Sequence, residues 1–188
     1  MFYFEKKMMK SEYDKGLIHN VKLGADAYNG FIIALGGVAV DDVYSAAFTR
    51  AKGSAYDYPN YNGFVGTAPV AVTDKVYVLD APLVKSLKSG DNIYRFGNET
   101  YGNVLPAGTM GRARELAVTD TFVLGDENFN GTPVVGQFAI LEAGKHTLLP
   151  SVTEPVTEGF AVEILEAVGI TTGAEIGFTG YVVRVIKD

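Results

Sequence analysis

At 188 residues, with 47% hydrophobic and 20% charged positions, the chain is long enough to bury a core and too apolar to stay disordered. It has no cysteine, which excludes disulfides and thiolate metal sites and leaves the compartment open. The formal charge of −6 is uneven. Residues 1–22 hold five lysines against Glu5, Glu12 and Asp14, a net +2, so the remainder carries −8, and an acidic body argues against nucleic acid as a partner.

The chain opens MFYFEKKMMK. No apolar run follows these lysines, so the segment does not read as a secretory signal, and no apolar stretch approaches a membrane span. Residues 1–24 show neither strand nor helix periodicity and are expected to form an extended N-terminal arm, with 25–188 as the body. Phe2, Tyr3, Phe4, Met8 and Met9 would be its apolar anchors, and Lys6, Lys7 and Lys10 would face an acidic partner surface. A second arrangement has equal weight, in which residues 2–4 fold back as an edge strand of the same domain.

From Asn29 the pattern changes. Asn29-Gly30 signals a turn, Phe31 to Leu35 is continuously apolar, and Gly36-Gly37 interrupts, the pattern of a buried strand. The tyrosine-rich RAKGSAYDYPNYNG (50–63) reads as a loop-rich insertion around 50–66, with Tyr56, Tyr58 and Tyr61 as candidate contact residues. Val70, Val72, Val76 and Val78 alternate as in a strand, and PLVKSLKSGD reads as one helical turn with Leu83, Val84 and Leu87 on one side. In the last third, four strand candidates are separated by turn signals, and FAVEILEAV is read as a strand because glycines bound it. Asn29-Gly30, Asn62-Gly63 and Asn130-Gly131 are hairpin-turn signals. The expected fold is mainly β, a compact sandwich or barrel-like body of short antiparallel strands with an N-terminal arm.

Chemistry-bearing patterns are sparse. His19 and His146 have no ligand companion at metal-site spacing and read as surface histidines. There is no nucleophile elbow and no phosphate-cradling glycine loop. Glu154, Glu158, Glu163 and Glu166 read as a solvated acidic face. DENFNGTPVVGQ places Asp126, Asn128, Asn130 and Gly131 at the first, third, fifth and sixth positions of a calcium loop. Gln137 nevertheless stands where a bidentate glutamate is required, so a hairpin turn is preferred. No catalytic, cofactor-binding or metal-binding residue is assigned, and an enzyme is not expected.

The segments NGFIIALGG, TDKVYVLDAPLV, IYRFGNETY, ARELAVTDTFVLGD, VVGQFAILEAGKHTLLPS and GYVVRVIKD, taken together and in this order, resemble the capsid decoration or cement proteins of tailed bacteriophages. The resemblance implies a non-enzymatic virion structural protein. It would be made in the host cytoplasm and seated on the outer capsid surface, where it binds major capsid protein and neighbouring copies or decoration subunits and reinforces the shell. It supplies no residue-level motif. The alternative is a carbohydrate- or receptor-binding virion module, or a head-fibre base, with Tyr58 and Tyr61 stacking on sugars.

Overall fold

The computed structural model describes residues 1–40, 61–71, 74–80, 86–89, 92–95, 104–105, 107–108, 110–155, 159–172 and 176–188. In chain order the elements are β1 (Phe4–Met8), a one-turn helix α1 (Lys10–Tyr13), β2 (Ile18–Leu23), β3 (Ala27–Tyr28), β4 (Ile32–Val40) and β5 (Tyr61–Thr67). They continue with β6 (Tyr77–Asp80), β7 (Ser86–Ser89), β8 (Asn92–Arg95), β9 (Val104–Leu105) and β10 (Met110–Glu115). The chain ends with β11 (Thr121–Gly125), β12 (Phe138–Leu141), β13 (Leu148–Ser151), β14 (Ala161–Thr172) and β15 (Ile176–Lys187). The protein is mainly β, as its valine-, tyrosine- and glycine-rich composition leads one to expect.

Two assemblies carry the fold. One is a six-stranded sheet in the order β1-β11-β15-β14-β12-β13, antiparallel throughout. The other is a closed barrel, β10-β2-β5-β4-β6, in which β2 and β5 are the parallel pair. Short pairs β3-β9 and β7-β8 complete the described strands.

The two assemblies share walls. Ile32 of β4 pairs with Val78 of β6, and both side chains join the sheet-side core with Phe122, Leu124, Val162 and Val183. The next pair, Ile33 with Tyr77, belongs to the barrel core with Val21, Leu23, Leu79 and Ala113. Successive strand residues point to opposite faces, so β4 and β6 supply one apolar set to each core. That is why FII and VYVL are unbroken apolar runs and do not alternate with polar residues.

Several local expectations are corrected. Residues 1–24 do not form an arm standing off a body that begins at residue 25. Phe4–Met8 is an edge strand on β11, and Ile18–Leu23 is a barrel strand paired on both sides, with Val21 and Leu23 buried. The weak periodicity of this segment reflects two short strands in different assemblies with a helical turn between them. Leu87 lies in β7, because Ser86–Ser89 pairs with Asn92–Arg95, whereas Leu83 and Val84 of the expected helical turn lie outside the described residues. The 50–66 insertion is curtailed by β5, in which Asn62 and Gly63 are strand residues. Asn29-Gly30 is a reverse turn closed by Phe31 N–H to the Tyr28 carbonyl at 3.1 Å, with the positive φ of +81° at Gly30 alone. That is the pattern of a type II turn, whose third residue favours glycine. Asn130-Gly131 closes no hairpin either, because β11 pairs with β1 and β15 while β12 pairs with β13 and β14.

Candidate interaction surface

The N-terminal strand shows why the opening aromatics are ordered. Phe2 and Phe4 go to different cores although they are two residues apart, because the strand begins only at Phe4 and Phe2 precedes it. The Phe2 ring stacks on Tyr28 at 4.5 Å and meets Phe31 edge-on at 5.2 Å, at the barrel, whereas Phe4 is buried against Phe122 at 5.7 Å, in the sheet core. Tyr3, between them, places its ring 5.2 Å from Phe178 and donates its hydroxyl to Glu5 at 2.8 Å. Partial burial, then the Glu5 hydrogen bond and charge, push its phenol pKa well up. Met9 is buried in the sheet-side core, while Met8 is exposed. Phe2, Phe4 and Met9 are therefore used inside the molecule.

The lysines stay outside. Lys6 pairs with Glu12 at 3.1 Å and Lys7 with Glu5 at 3.4 Å, both exposed, and Lys10 is exposed at the start of α1, where its N–H is held by Asp120 Oδ1 at 2.7 Å. Tyr56 and Tyr58 lie outside the described residues. Tyr61 is the first residue of β5, paired with Val40.

The calcium-like loop is occupied by structural work. Asn128 is buried, and its Oδ1 accepts from the N–H groups of Tyr3 and Gly125 at 2.9 and 3.0 Å while its amide donates to the Asn29 carbonyl at 3.1 Å. Asp126 pairs with the Met1 ammonium, Glu127 lies 3.5 Å from the same ammonium, and Asn130 donates to Glu142 at 2.9 Å. These oxygens point to different partners and do not converge. Among the described residues no group of three or more acids and histidines is placed to hold a metal.

Neither histidine is a simple surface residue. His19 in β2 sits edge-on between Phe64 and Tyr77, at 5.6 and 5.5 Å. His146 is half-buried and stacked on Phe31 at 4.8 Å. Its Nδ1 lies 3.1 Å from the Ile32 carbonyl, and its own carbonyl accepts the Ile32 N–H at 2.9 Å. Burial lowers its pKa, partly opposed by the bond to Ile32.

A feature the sequence reading did not assign lies in the last hairpin. β12 accompanies β14 only over Ala161, Val162 and Glu163's neighbourhood, and β11 accompanies β15 only from Gly180 to Arg184. Beyond that, Gly169–Thr172 and Ile176–Thr179 pair with each other alone among the described residues, so a two-stranded ribbon runs past its sheet. Its sequence, AVGITTGAEIGFTG (167–180), has one charge, Glu175, in 14 residues. Ala167 and Gly169 are exposed and Val168, Ile170 and Phe178 are half-buried. The signal available in the sequence was this gap in the charge pattern.

The outer edges of the six-stranded sheet are treated differently. β1 presents exposed Lys6 and Lys7 and a register shift between Lys6 and Met8, and β13 contains Pro150, which has no N–H to offer. Lysines, irregular register and proline on an edge all oppose pairing with another sheet. Edge-to-edge association is thus discouraged at both outer edges of this sheet. The ribbon has none of these guards on its described residues.

No family model, curated protein or solved structure matches this chain.

Proposed function

We propose that the protein is a non-enzymatic virion structural protein that binds the outer surface of an assembled phage capsid and stabilises it, made in the host cytoplasm and carried on the virion. The reading rests on the sequence resemblance, and the observation that best supports a docking role is the β14-β15 ribbon. A ribbon nearly free of charge, with apolar side chains and no further strand partner among the described residues, gains by burial against a partner what an isolated two-stranded hairpin lacks in water. Major capsid protein is the proposed partner. Exposed Lys6 and Lys7 lie on the β1 edge of the same sheet and exposed Lys10 on the helical turn that follows it, where their charge would steer approach to an acidic shell.

The test is co-sedimentation with assembled heads and, separately, with unassembled capsid subunits. Deleting residues 1–15 is a poor probe, since it removes a core strand. Gly169→Lys with Gly177→Lys is better, because a side chain at either position meets nothing within 4 Å. The pair is expected to fold normally and to weaken head binding at least about tenfold, as charges brought into a desolvated interface do. Equal binding to heads and free subunits, or no effect of the two lysines and of Lys6→Glu with Lys7→Glu, would count against the proposal. Glycan binding that Tyr58→Ala or Tyr61→Ala abolishes would favour the carbohydrate-binding alternative.

A further inference from the structure

The sequence holds three Asn-Gly pairs, at 29–30, 62–63 and 130–131, and every other asparagine is followed by a larger residue. In such a pair the main-chain nitrogen can reach the side-chain carbonyl carbon and close a succinimide ring, and glycine has no Cβ to obstruct the approach. The fold treats the three pairs differently. Asn29 is buried, and the Gly30 N–H is tied to the Leu79 carbonyl at 2.9 Å. Gly63 pairs with Ala39 in β5, a strand that lies between β2 and β4 in the barrel wall. Asn130 and Gly131 are both exposed, and among the described residues the Gly131 N–H has no hydrogen-bond partner.

What surrounds Asn130 gives its chemistry a structural consequence. Its N–H donates to the Leu148 carbonyl at 2.8 Å, beside the Phe129–Leu148 bridge, and its side-chain amide donates to Glu142 Oε2 at 2.9 Å. A Cβ on Gly131 would lie 3.4 Å from Pro150 Cδ, so the segment is laid along β13. Two residues upstream, Asn128 holds the main chain of Tyr3, Gly125 and Asn29 together. The exposed pair is therefore covalently close to the contact that fastens the N-terminal strand.

We propose that Asn130-Gly131 is a self-modification site, at which the folded protein deamidates and loosens the 129–131 segment from β13. The Gly131 nitrogen gives up its proton and attacks Asn130 Cγ. The new C–N bond forms as the Cγ–Nδ2 bond breaks, and Nδ2 leaves as ammonia with that proton. Water then opens the succinimide at one of its two carbonyls, giving aspartate or isoaspartate. Either product replaces the amide donor facing Glu142 by a carboxylate, which accepts only and carries like charge. Isoaspartate also routes the main chain through the former side-chain carbon, lengthening it beside the bond to Leu148. The proposal is independent of capsid binding.

The experiment ages the full chain in neutral and in mildly alkaline buffer and follows the three pairs by peptide mapping, with isoaspartate detected by enzymatic methylation. In the folded chain Asn130 is expected to react at least about tenfold faster than Asn29 or Asn62, because those two must first open locally. The rate at Asn130 should rise with pH, since the attacking nitrogen must lose a proton. In denaturant the three pairs should react at similar rates. Equal rates in the folded chain, or the same ranking with and without denaturant, would overturn the assignment to this fold. The aged, deamidated protein is then compared with fresh protein in thermal melts. A lower melting temperature is expected for the aged wild type and not for identically aged Asn130→Gln, whose longer side chain does not close the ring readily. Identical melting of aged and fresh wild type would overturn the loosening of the segment.

Discussion

Gly30 allows the N-terminal segment to approach the turn and Asn128 closely. Its φ of +81° suits glycine, and a Cβ there would lie 2.8 Å from the Tyr3 carbonyl oxygen and 2.7 Å from the Asn128 amide nitrogen. Gly30→Ala combines a strained backbone with a clash against main chain, and is expected to cost about 2–4 kcal/mol in chemical denaturation. Thr119 poses the reverse case. It is a β-branched residue at φ 80°, the third position of a turn closed by Asp120 N–H to the Ala117 carbonyl at 2.9 Å. Relieving that conformation by Thr119→Gly should raise stability by about 0.5–1 kcal/mol, after the greater flexibility of glycine in the unfolded chain is deducted. Unchanged or lower denaturation midpoints would show that the turn is not strained.

At the scale of elements, the one-turn helix α1 is too short to persist by itself, and a buried ion group fixes it to the barrel. Arg114 of β10 is 3% exposed; its Nε lies 2.6 Å from Asp80 Oδ2 in β6, and its Nη1 lies 2.9 Å from Glu12 and 3.5 Å from the Ser11 hydroxyl in α1. Removing Asp80 leaves the buried Arg114 with Glu12 alone, and removing Arg114 leaves Asp80 with only Arg112, at 3.9 Å. Arg114→Ala or Asp80→Ala is therefore expected to cost about 3–5 kcal/mol, while the combined Arg114→Met, Asp80→Leu variant should recover most of the loss. Thermal melts of the three variants check this, and equal losses in single and double variants would mean that packing volume, not charge, dominates. The same scale explains the β14-β15 ribbon. Its base is held by β11 and β12, and the Tyr3–Phe178 contact supports one strand beyond them, so its outer part can lack a core of its own.

For the whole molecule, the sheet and the barrel are joined through β4, β6, the N-terminal strand and the loop bearing His146. The lowered pKa of His146 makes that junction acid-sensitive. Below about pH 6.5 the unfolded chain takes up a proton at this residue that the folded chain refuses, so its contribution is complete above that pH and declines as pH falls towards the lower folded-state value. Unfolding free energy should drop between pH 7 and 5 with a slope of at most about 1.4 kcal/mol per pH unit from this group, and His146→Gln should flatten that part of the profile. A profile unchanged by the substitution would place the acid sensitivity elsewhere. The guarded edges of the sheet and the unguarded ribbon also belong to this scale. They predict a chain that does not grow by strand addition at β1 or β13.

The sequence by itself determined the class of fold, because valine-rich runs between glycines have few alternatives to strands. It also determined the acidic body and the absence of the common catalytic motifs. It read β14 as a strand in spite of its helix-compatible residues, because glycine bounds it. Three things were decided by tertiary structure. Long-range pairing, Phe4 with Leu124 across 120 residues, turned the opening segment into an edge strand, and no local pattern encodes a partner that distant. Packing on two sides made β4 and β6 common walls, so their apolar runs carry no alternation from which the barrel could be inferred. His146 became half-buried only because the loop after β12 closes over Phe31 and Ile32, a contact set by the stacking of the two assemblies and invisible in EAGKHT. Burial depends on what arrives from elsewhere in the chain, and that is the part of the physics a local reading of sequence does not contain.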